Sequence, residues 1–200
     1  MFTRLLTWTG ATNVKGGIEY VRETALPIVR QQHGYQGLSA SLESSANILS
    51  VLSVWETESD REASESALVK ARDEGTELIG GTLQVERLEE VARELLKQPQ
   101  VGCALMVSSF SMDPSVIDDN VAFFKREVVP QIKSAPGFCA LRNMVNRSTG
   151  EGYVGTIWED QAAAEGQREA SQARRAAVAS QRGITFGPLS FREILLIDNP

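Results

Sequence analysis

The sequence of 200 residues predicts an α+β fold in which two tandem copies of one βαββαβ unit lie in a single chain. Two observations support this prediction: distant segments repeat one pattern, and the hydrophobic period changes in the same order within each copy. A third observation, the continuous apolar character of some strands, indicates sheets that are buried on both faces. We expect residues 1–100 to form the first copy with its linker and residues 101–200 to form the second.

The repeat is visible in two pairs of segments. Residues 26–38 read LPIVRQQHGYQGL and residues 129–141 read VPQIKSAPGFCAL, and both contain a proline, a glycine seven residues later, an aromatic residue and a leucine. At the same offset of 103 positions, SVLSVWET at 50–57 corresponds to YVGTIWED at 153–160. An ungapped offset shared by both pairs indicates a duplicated unit.

Each copy reads as a strand, a helix, two hairpin strands, a second helix and a last strand. Apolar residues recur at helical spacing in the first helix of each copy, where Pro27 and Pro130 should kink or end the regular hydrogen-bond ladder. The other predicted elements, in pairs, are strands 2–9 and 103–110, strands 38–43 and 139–146, strands 48–56 and 152–159, helices 60–78 and 161–181, and strands 83–89 and 189–198.

This order of elements is the split βαβ, or ferredoxin-like, pattern, in which an antiparallel sheet carries two helices on one face. The other face of the sheet needs a cover, because CALMV at 103–107 and ILLI at 194–197 are apolar at successive positions. The sheet of the second copy is the expected cover. The sequence therefore predicts that two antiparallel sheets pack into a barrel-like sandwich within one chain.

Composition and charge argue against several kinds of partner. The formal net charge is −6 and no basic stretch interleaves with aromatic residues, so we expect no nucleic-acid partner. No segment approaches the ~18 apolar residues that a membrane span needs, and no secretory signal is recognisable, so we expect no membrane partner and a cytoplasmic location. Cys103 and Cys139 are predicted to lie on strands that are not neighbours, which favours buried, inert thiols over a disulfide.

The pattern also resembles a known family. The βαββαβ order, the P-G-F/Y segment before the second strand and the strands that end in W-E at Trp55 and Trp158 resemble the dimeric α/β barrel superfamily. Within it, the tandem copies are most similar to antibiotic-biosynthesis-monooxygenase-like (ABM) domains. The resemblance implies that this chain forms an intramolecular dimeric α/β barrel, or pseudo-dimer, where other members pair two chains. Further association into a homo-oligomer stays open.

The resemblance implies a small-molecule ligand, since its members include cofactor-independent monooxygenases of aromatic polyketides and haem-degrading enzymes. The haem-degrading pattern requires a histidine on the helix after the W-E strand and an asparagine on the first strand. Both predicted copies lack these residues. No spaced set of metal-ligating residues occurs either, so we expect neither a cofactor nor a metal.

His33 is the only histidine of the chain and hence the only side chain whose ordinary pKa suits proton transfer near neutral pH. It is therefore the one candidate catalytic residue, as a general base. A histidine at the end of a helix also interacts favourably with the terminal carbonyl groups, and this structural role is the more frequent one. The identity of any catalytic residue thus stays open.

Six residues are candidate substrate contacts: Trp8, Trp55, Arg142, Asn143, Tyr153 and Trp158. The tryptophans that recur in both copies are also typical of a shared core, which is the favoured interpretation for them. Trp8 and Tyr153 lack an aromatic counterpart at the offset of 103 residues, and such asymmetry is expected of a pocket that has diverged. Arg142 and Asn143 are polar groups on a strand predicted to be buried, so they must be satisfied. They would orient a ligand carbonyl or carboxylate, or Arg142 would reach solvent from an edge strand, which is the favoured interpretation.

Two functions remain open at this point. The first is a small-molecule-binding ABM-like protein that acts as a cofactor-independent monooxygenase of an aromatic substrate, where the protein favours the deprotonated substrate in a dry pocket. The second is a non-catalytic interaction protein or stress-associated barrel protein. Glycine-rich phosphate loops, H-E-x-x-H and G-x-S-x-G are absent from the sequence, so nucleotide, zinc-protease and serine-hydrolase mechanisms are not expected.

Overall fold

The computed structural model describes residues 1–199. Within this range the chain forms eight strands in the predicted order: β1 Phe2–Thr9, β2 Tyr35–Glu43, β3 Ile48–Trp55, β4 Thr82–Leu95, β5 Ala104–Ser111, β6 Phe138–Val145, β7 Glu151–Trp158 and β8 Thr185–Asp198. Hydrogen bonds connect them in the order β1-β3-β2-β8-β5-β7-β6-β4, which closes as a barrel. The predicted fold class, two ferredoxin-like βαββαβ units whose antiparallel strands form a barrel, is confirmed.

The helices alternate with these strands as predicted. Over the described residues they are α1 Val14–Tyr20, α2 Leu26–Arg30, α3 Glu58–Ala63, α4 Glu65–Ile79, α5 Ile117–Phe123, α6 Val129–Lys133, α7 Gln161–Gly166 and α8 Arg168–Arg182. The predicted second helix of each copy is thus a short helix followed directly by a longer one. Among residues 1–199, no helix has the length and apolar character that crossing a membrane requires.

A π-helical turn interrupts the first helix of each unit at equivalent positions, Val21–Ala25 and Phe124–Val128. Pro27 and Pro130 follow within the first turn of α2 and α6. Proline has no N–H to donate, and a wider turn just before it removes the need for the regular hydrogen bond at that point. The regular ladder is interrupted as predicted, although the helical path continues beyond both prolines.

The chain divides into two compact units whose limits fall inside the two longest strands. The first unit consists of Met1–Arg87 and the segment that begins at Ile194, and the second consists of Leu88–Glu193. Each of the 14-residue strands β4 and β8 therefore changes unit part-way along its length. The predicted linker after residue 89 continues β4 as far as Leu95 instead of leaving the sheet.

Strand pairing defines which positions of the two units are equivalent. In the first unit, Leu6 and Ala40 both pair with Val51, which lies on the strand between them. In the second unit, Ser108 and Asn143 pair with Val154 in the same way, so the two sets of residues occupy equivalent positions. The hairpin strands follow the offset of 103 residues, whereas β1 matches β5 at an offset of 102. Trp8 therefore has an aromatic equivalent, Phe110, and the asymmetry inferred for Trp8 is corrected.

Trp55 and Trp158 lie at equivalent core positions, and both are fully buried. Each indole Nε1 donates a hydrogen bond to the hydroxyl group two residues earlier, to Ser53 Oγ at 3.1 Å and to Thr156 Oγ1 at 2.9 Å. A second aromatic ring packs edge-on against each indole, with ring centroids 6.0 and 5.8 Å apart. The two indoles thus share the same hydrogen bond and the same edge-on aromatic contact, as expected of a shared packing role.

Both cysteines are free thiols. Cys139 is buried on β6, and Cys103 lies just before β5, so the strand β7 separates the two strands as predicted. Burial raises the pKa of the Cys139 thiol to about 11, which keeps it protonated near neutral pH. Cys103 is partly exposed, so the expectation of a buried thiol applies to Cys139 alone.

Candidate functional site

The second unit contains a mainly apolar cavity of ≈ 90 Å³ between its sheet and the helices α5, α6 and α8. Its walls consist largely of valine, isoleucine, phenylalanine and methionine side chains. A single buried water needs about 10–15 Å³ on this measure. The cavity therefore has room for a small organic ligand, and its apolar walls favour one with a hydrophobic body.

The cavity takes alternate residues from three neighbouring strands, because successive side chains of a strand point to opposite faces of the sheet. These residues are Met106, Ser108 and Phe110 from β5, Asn143 and Val145 from β6, and Val154 and Thr156 from β7. Gly152, which pairs with Phe110, makes room for its ring, since a Cβ atom there would lie 2.5 Å from Phe110 Cζ. The three strands thus fix the wall of the cavity through backbone hydrogen bonds.

On the strands of this wall, two polar side chains have a buried atom without a hydrogen-bond partner among residues 1–199, and Arg175 Nε on α8 is a third such atom. The two strand atoms are Ser108 Oγ and Asn143 Oδ1, on residues that are 8% and 5% exposed. Both residues flank Val154 in one row across the sheet. A buried polar atom without a partner costs about 1–3 kcal/mol. Such groups in an apolar cavity are the usual means of orienting a bound ligand.

Helix α8 adds two positive charges to the cavity wall. Arg174 and Arg175 both line the cavity, and within residues 1–199 neither forms an ion pair with a carboxylate. Arg175 Nη2 donates to the carbonyl oxygen of Gly187, and its guanidinium lies 5.1 Å from the ring centroid of Phe186. Burial lowers the pKa of both arginines, as expected for cations without a compensating anion.

The first unit has a smaller cavity of ≈ 70 Å³ in the equivalent place, and its chemistry is different. Leu6 stands at the position of Ser108, and Ala40 stands at the position of Asn143. The polar row of the second unit is therefore absent. The buried charged group on this wall is Arg4 instead, at the position that Met106 occupies in the second unit.

The six candidate substrate contacts do not form one site. Asn143 lines the cavity of the second unit, and Trp8 lines the cavity of the first, where its Nε1 donates to Thr76 Oγ1 at 3.1 Å. Trp55 and Trp158 lie in the two cores and line neither cavity. The structure therefore brings one of the six, Asn143, together with the polar groups described above.

Arg142 and Tyr153 lie on the opposite face of the sheet from the cavity, since each directly precedes a residue that lines it. Arg142 Nη1 forms an ion pair with the nearly buried carboxylate of Glu90 on β4. A charged group on this strand must be satisfied, as the sequence indicates. Its partner is a carboxylate of the protein.

His33 lies in the turn after α2 and lines neither cavity. Its side chain is 91% exposed, and its Nδ1 lies 2.6 Å from Asp60 Oδ1. The hydrogen bond to Asp60 raises the pKa of His33. The pair connects this turn to α3, a geometry that favours the structural role of His33 over general-base catalysis.

Sequence reasoning missed three residues of the cavity: Ser108, Arg174 and Arg175. The signal for Ser108 is the offset of 102 residues between β1 and β5, at which it replaces the apolar Leu6. Arg174 replaces the buried Ala71 at the offset of 103 residues, which is a comparable signal. A buried apolar position that becomes polar in the other copy is typical of a binding site.

Metal-ligating and proton-accepting groups are not placed at this cavity. Among residues 1–199, no cluster of three histidine, cysteine, aspartate or glutamate side chains could hold a metal ion. The two arginines are the only ionisable side chains on the described wall of the second unit's cavity. These residues do not provide a histidine ligand of the kind that haem iron uses.

Sequence comparison connects the chain to proteins of Mycobacterium tuberculosis, while no protein-family model matches it. The uncharacterized protein Rv2557 is 26% identical over 167 residues, which are 84% of this chain and 75% of that protein. The uncharacterized protein Rv2558 is 23% identical over 130 residues, or 65% of this chain and 55% of that protein. Neither name records an activity.

Solved structures extend the comparison to the fold. A candidate monooxygenase of Fusobacterium nucleatum superposes with a TM-score of 0.74 at 12% identity, over 99% of this chain and 94% of that chain. An anthrone oxidase-like protein superposes with a TM-score of 0.70 at 15% identity, over 99% of this chain and 92% of that chain. A heme-binding protein of Thermus thermophilus superposes with a TM-score of 0.56 at 13% identity, over 98% of this chain and 91% of that chain. Together with the strand order, these superpositions show that the chain has the dimeric α/β barrel fold of the ABM-like proteins.

Proposed function

We propose that the cavity of the second unit binds an acidic aromatic small molecule in its deprotonated form and supports its cofactor-independent monooxygenation. The observation that carries this proposal is the combination, on one apolar wall, of two unpartnered polar atoms and two arginines without acidic partners. A ligand hydroxyl group would donate to Asn143 Oδ1, and Ser108 Oγ would donate to a ligand carbonyl or phenolate oxygen. A delocalised negative charge on the ligand would compensate Arg174 and Arg175.

The electrostatics of the wall favour the ionised ligand. A positive charge within about 4–6 Å lowers the pKa of an acid by about 1–3 units. The low dielectric of an apolar cavity strengthens this attraction. A phenol or enol whose pKa falls in this way releases its proton to solvent, so that no general base is needed on the wall.

The proposed reaction needs dioxygen as its only co-reactant. The substrate has a ring CH₂ group that is conjugated with a carbonyl through flanking aromatic rings, as in anthrone, and loss of one proton makes that carbon electron-rich. The carbon forms a bond to one oxygen atom of O₂ and, after a proton is taken up, a hydroperoxide results. Cleavage of the O–O bond then releases water and leaves a carbonyl, so that CH₂ and O₂ become C=O and H₂O. The substrate supplies all four electrons that reduce the two oxygen atoms.

Two of the superposed proteins bear names that fit this reaction class, the candidate monooxygenase and the anthrone oxidase-like protein. Similarity in fold at this level of identity does not transfer an activity. The proposal for this chain therefore rests on its own cavity, and the names supply the class of compound with which to begin the test.

The test combines ligand binding, ligand ionisation and oxygen uptake. Anthrone should bind, its anion absorbance should appear at a pH about one unit below that of the free compound, and oxygen should be consumed with formation of the quinone. Asn143→Leu and Arg174→Gln should abolish the shift in ionisation. Arg126→Gln is the matched control, because it removes an exposed arginine of the same unit that is paired with Glu127.

The absence of a proton acceptor on the described cavity wall favours a second candidate, a non-catalytic protein that binds an aromatic anion. Binding and ionisation of the ligand without oxygen uptake would support this candidate against the monooxygenase. Neither binding nor oxygen uptake with anthrone and simple phenols would contradict both. Unchanged binding in Asn143→Leu would place the ligand outside this cavity.

A further inference from the structure

We propose that the cavity of the first unit is a separate ligand site that selects small organic carboxylates. A buried polar group of this site is a charged arginine, whereas the buried polar groups on the strands of the second unit's cavity, among them Ser108 and Asn143, are uncharged and lie at different positions of the sheet. The residue that defines it is Arg4 on β1, which is 3% exposed and lines the cavity. The proposal is independent of the monooxygenase reaction.

Arg4 is held in place by one of its three guanidinium nitrogens. Its Nη2 donates to the carbonyl oxygen of Arg61 at 2.6 Å and to Ser64 Oγ at 3.1 Å, and lies 2.9 Å from Glu65 Oε2. Nε and Nη1 are buried and have no hydrogen-bond partner among residues 1–199. The ring of Trp55 lies 5.6 Å from the guanidinium carbon, but an aromatic ring cannot replace an acceptor for N–H groups in the guanidinium plane.

Arg4 shares its nearest carboxylate with two other arginines. Arg72 Nη1 pairs with Glu65, and Arg87 Nη2 lies 3.8 Å from it. Arg61, which lies nearby, has two carboxylate partners of its own. Burial lowers the pKa of Arg4, as expected for a cation with a single, shared carboxylate partner.

The rest of the wall determines what kind of anion fits. Leu6, Trp8, Val29 and Leu38 give the cavity an apolar body. A monoanion supplies the acceptors that Arg4 Nε and Nη1 lack, whereas a phosphate dianion would have to give up a tightly held hydration shell. A carboxylate on a compact apolar group satisfies both the unpartnered donors of Arg4 and the apolar walls.

The second unit provides an internal comparison for this site. Met106 occupies the position of Arg4 there, is buried as well, and the chain folds around it. Arg4→Met therefore installs a side chain that the fold already accepts at the equivalent position. Ala25 lines the cavity of the first unit and is partly exposed, so Ala25→Leu fills the cavity without touching the arginine cluster.

The test uses benzoate and its neutral isostere benzamide on the full chain. The indole N–H signal of Trp8, identified by its loss in Trp8→Phe, reports on this cavity alone in a ¹H–¹⁵N spectrum. Benzoate should shift this signal in a saturable way. Benzamide should bind with an affinity at least about tenfold lower than that of benzoate. Arg4→Met should abolish the benzoate response, and Ala25→Leu should weaken it by about tenfold.

Asn143→Leu, which alters the cavity of the second unit, should leave the Trp8 titration with benzoate unchanged. Equal affinities for benzoate and benzamide, or no saturable shift with benzoate, would overturn the carboxylate site. A benzoate response that persists in Arg4→Met would do the same. If Arg4→Met does not fold, full benzoate binding by the folded Ala25→Leu variant overturns the proposal.

Discussion

Two hydroxyl groups on the wall of the second unit's cavity differ in whether the fold satisfies them. Thr156 Oγ1 donates to the carbonyl oxygen of Met106 at 3.4 Å and accepts from Trp158 Nε1 at 2.9 Å. Ser108 Oγ has no partner in the described part of the chain. Because both hydroxyls line one cavity, a comparison of the two isolates the energetic effect of a missing partner.

Ser108→Ala should leave the free energy of unfolding unchanged or raise it by about 1 kcal/mol, since it removes an unsatisfied group. Thr156→Val should lower it by about 1–2 kcal/mol, because the indole N–H of Trp158 loses its acceptor. Urea denaturation of the ligand-free protein measures both effects. Equal destabilisation by the two substitutions would contradict the assignment of Ser108 as unsatisfied.

His33 should titrate with a pKa above its ordinary value of 6.5, because the hydrogen bond to Asp60 favours the imidazolium. A raised pKa in the folded state means that this pair stabilises the protein fully below pH 6.5 and that the contribution is lost as the pH rises through the folded-state pKa. The ring signals of the single histidine measure the titration by NMR. Asp60→Asn should return the pKa toward 6.5, and an unchanged value would exclude the pair as the cause.

Among the polar residues of this cavity wall, the sequence identified Asn143 but did not identify Ser108, Arg174 or Arg175. Asn143 stands out because an amide on a buried strand is unusual by residue type alone. Ser108 lies in a strand that contains other hydroxyl residues, and Arg174 lies in a helix that contains other arginines. What distinguishes them is the missing partner, and partners are set by tertiary contacts that one sequence does not contain.

The strands β3 and β7 illustrate how a duplicated element keeps its packing. Trp55→Phe and Trp158→Phe should each lower the free energy of unfolding by about 1–3 kcal/mol, through the lost indole hydrogen bond and the lost volume. Neither substitution should change the affinity for a cavity ligand, because neither residue lines a cavity. Calorimetric unfolding and ligand titration measure the two quantities. A tenfold loss of affinity in one variant would give that tryptophan a binding role.

The strands also show why the sequence predicted the elements better than their register. Hydrophobic pattern and the repeated proline, glycine and tryptophan positions predict where each strand lies, although β4 continues six residues beyond its predicted end at residue 89. A strand has a period of two, so that an error of one residue moves every side chain to the other face. β1 matches β5 at an offset of 102 residues, whereas β3 matches β7 at an offset of 103. This difference becomes visible only when the pairing of β1 with β3 is compared with the pairing of β5 with β7. The apparent lack of a counterpart for Trp8 has this origin.

The first unit as a whole depends on the second part of β8. Asp198, the last residue of that strand, accepts hydrogen bonds from Arg30 Nε at 3.1 Å and from Tyr35 Oη at 2.7 Å. The hydrogen bond from Arg30 lowers the pKa of Asp198 below its ordinary 3.8. The carboxylate therefore stabilises the fold above pH 3.8, and this contribution is lost as the pH falls through the lowered pKa.

Asp198→Asn should lower the free energy of unfolding by only about 1 kcal/mol at pH 7, because the side chain of Arg30 is largely exposed and solvent screens its attraction to Asp198. The difference between the variant and the unmodified protein should shrink as the pH is lowered below 3.8. Unfolding experiments at neutral and acidic pH measure this. A difference that does not depend on pH would assign the effect to packing instead of charge.

The duplication is the feature of the whole molecule that the sequence revealed most fully. The offset between segments such as 26–38 and 129–141 predicts two units, and their strand order predicts the antiparallel barrel that the structure has. The division of β4 and β8 between the two units could not be predicted in this way, since each strand runs unbroken across the unit limit. Local patterns do not record which unit a strand end contacts.

The contribution of the last strand to the first unit has a consequence for biosynthesis. A ribosome makes the chain from its N-terminus, and domains commonly fold in that order. Here the residues 88–193 of the second unit are complete before Leu196, a core residue of the first unit, has been added. The unit that is translated first therefore finishes folding last, and its unfinished sheet must wait through the synthesis of about half the chain with an edge open to incorrect pairing.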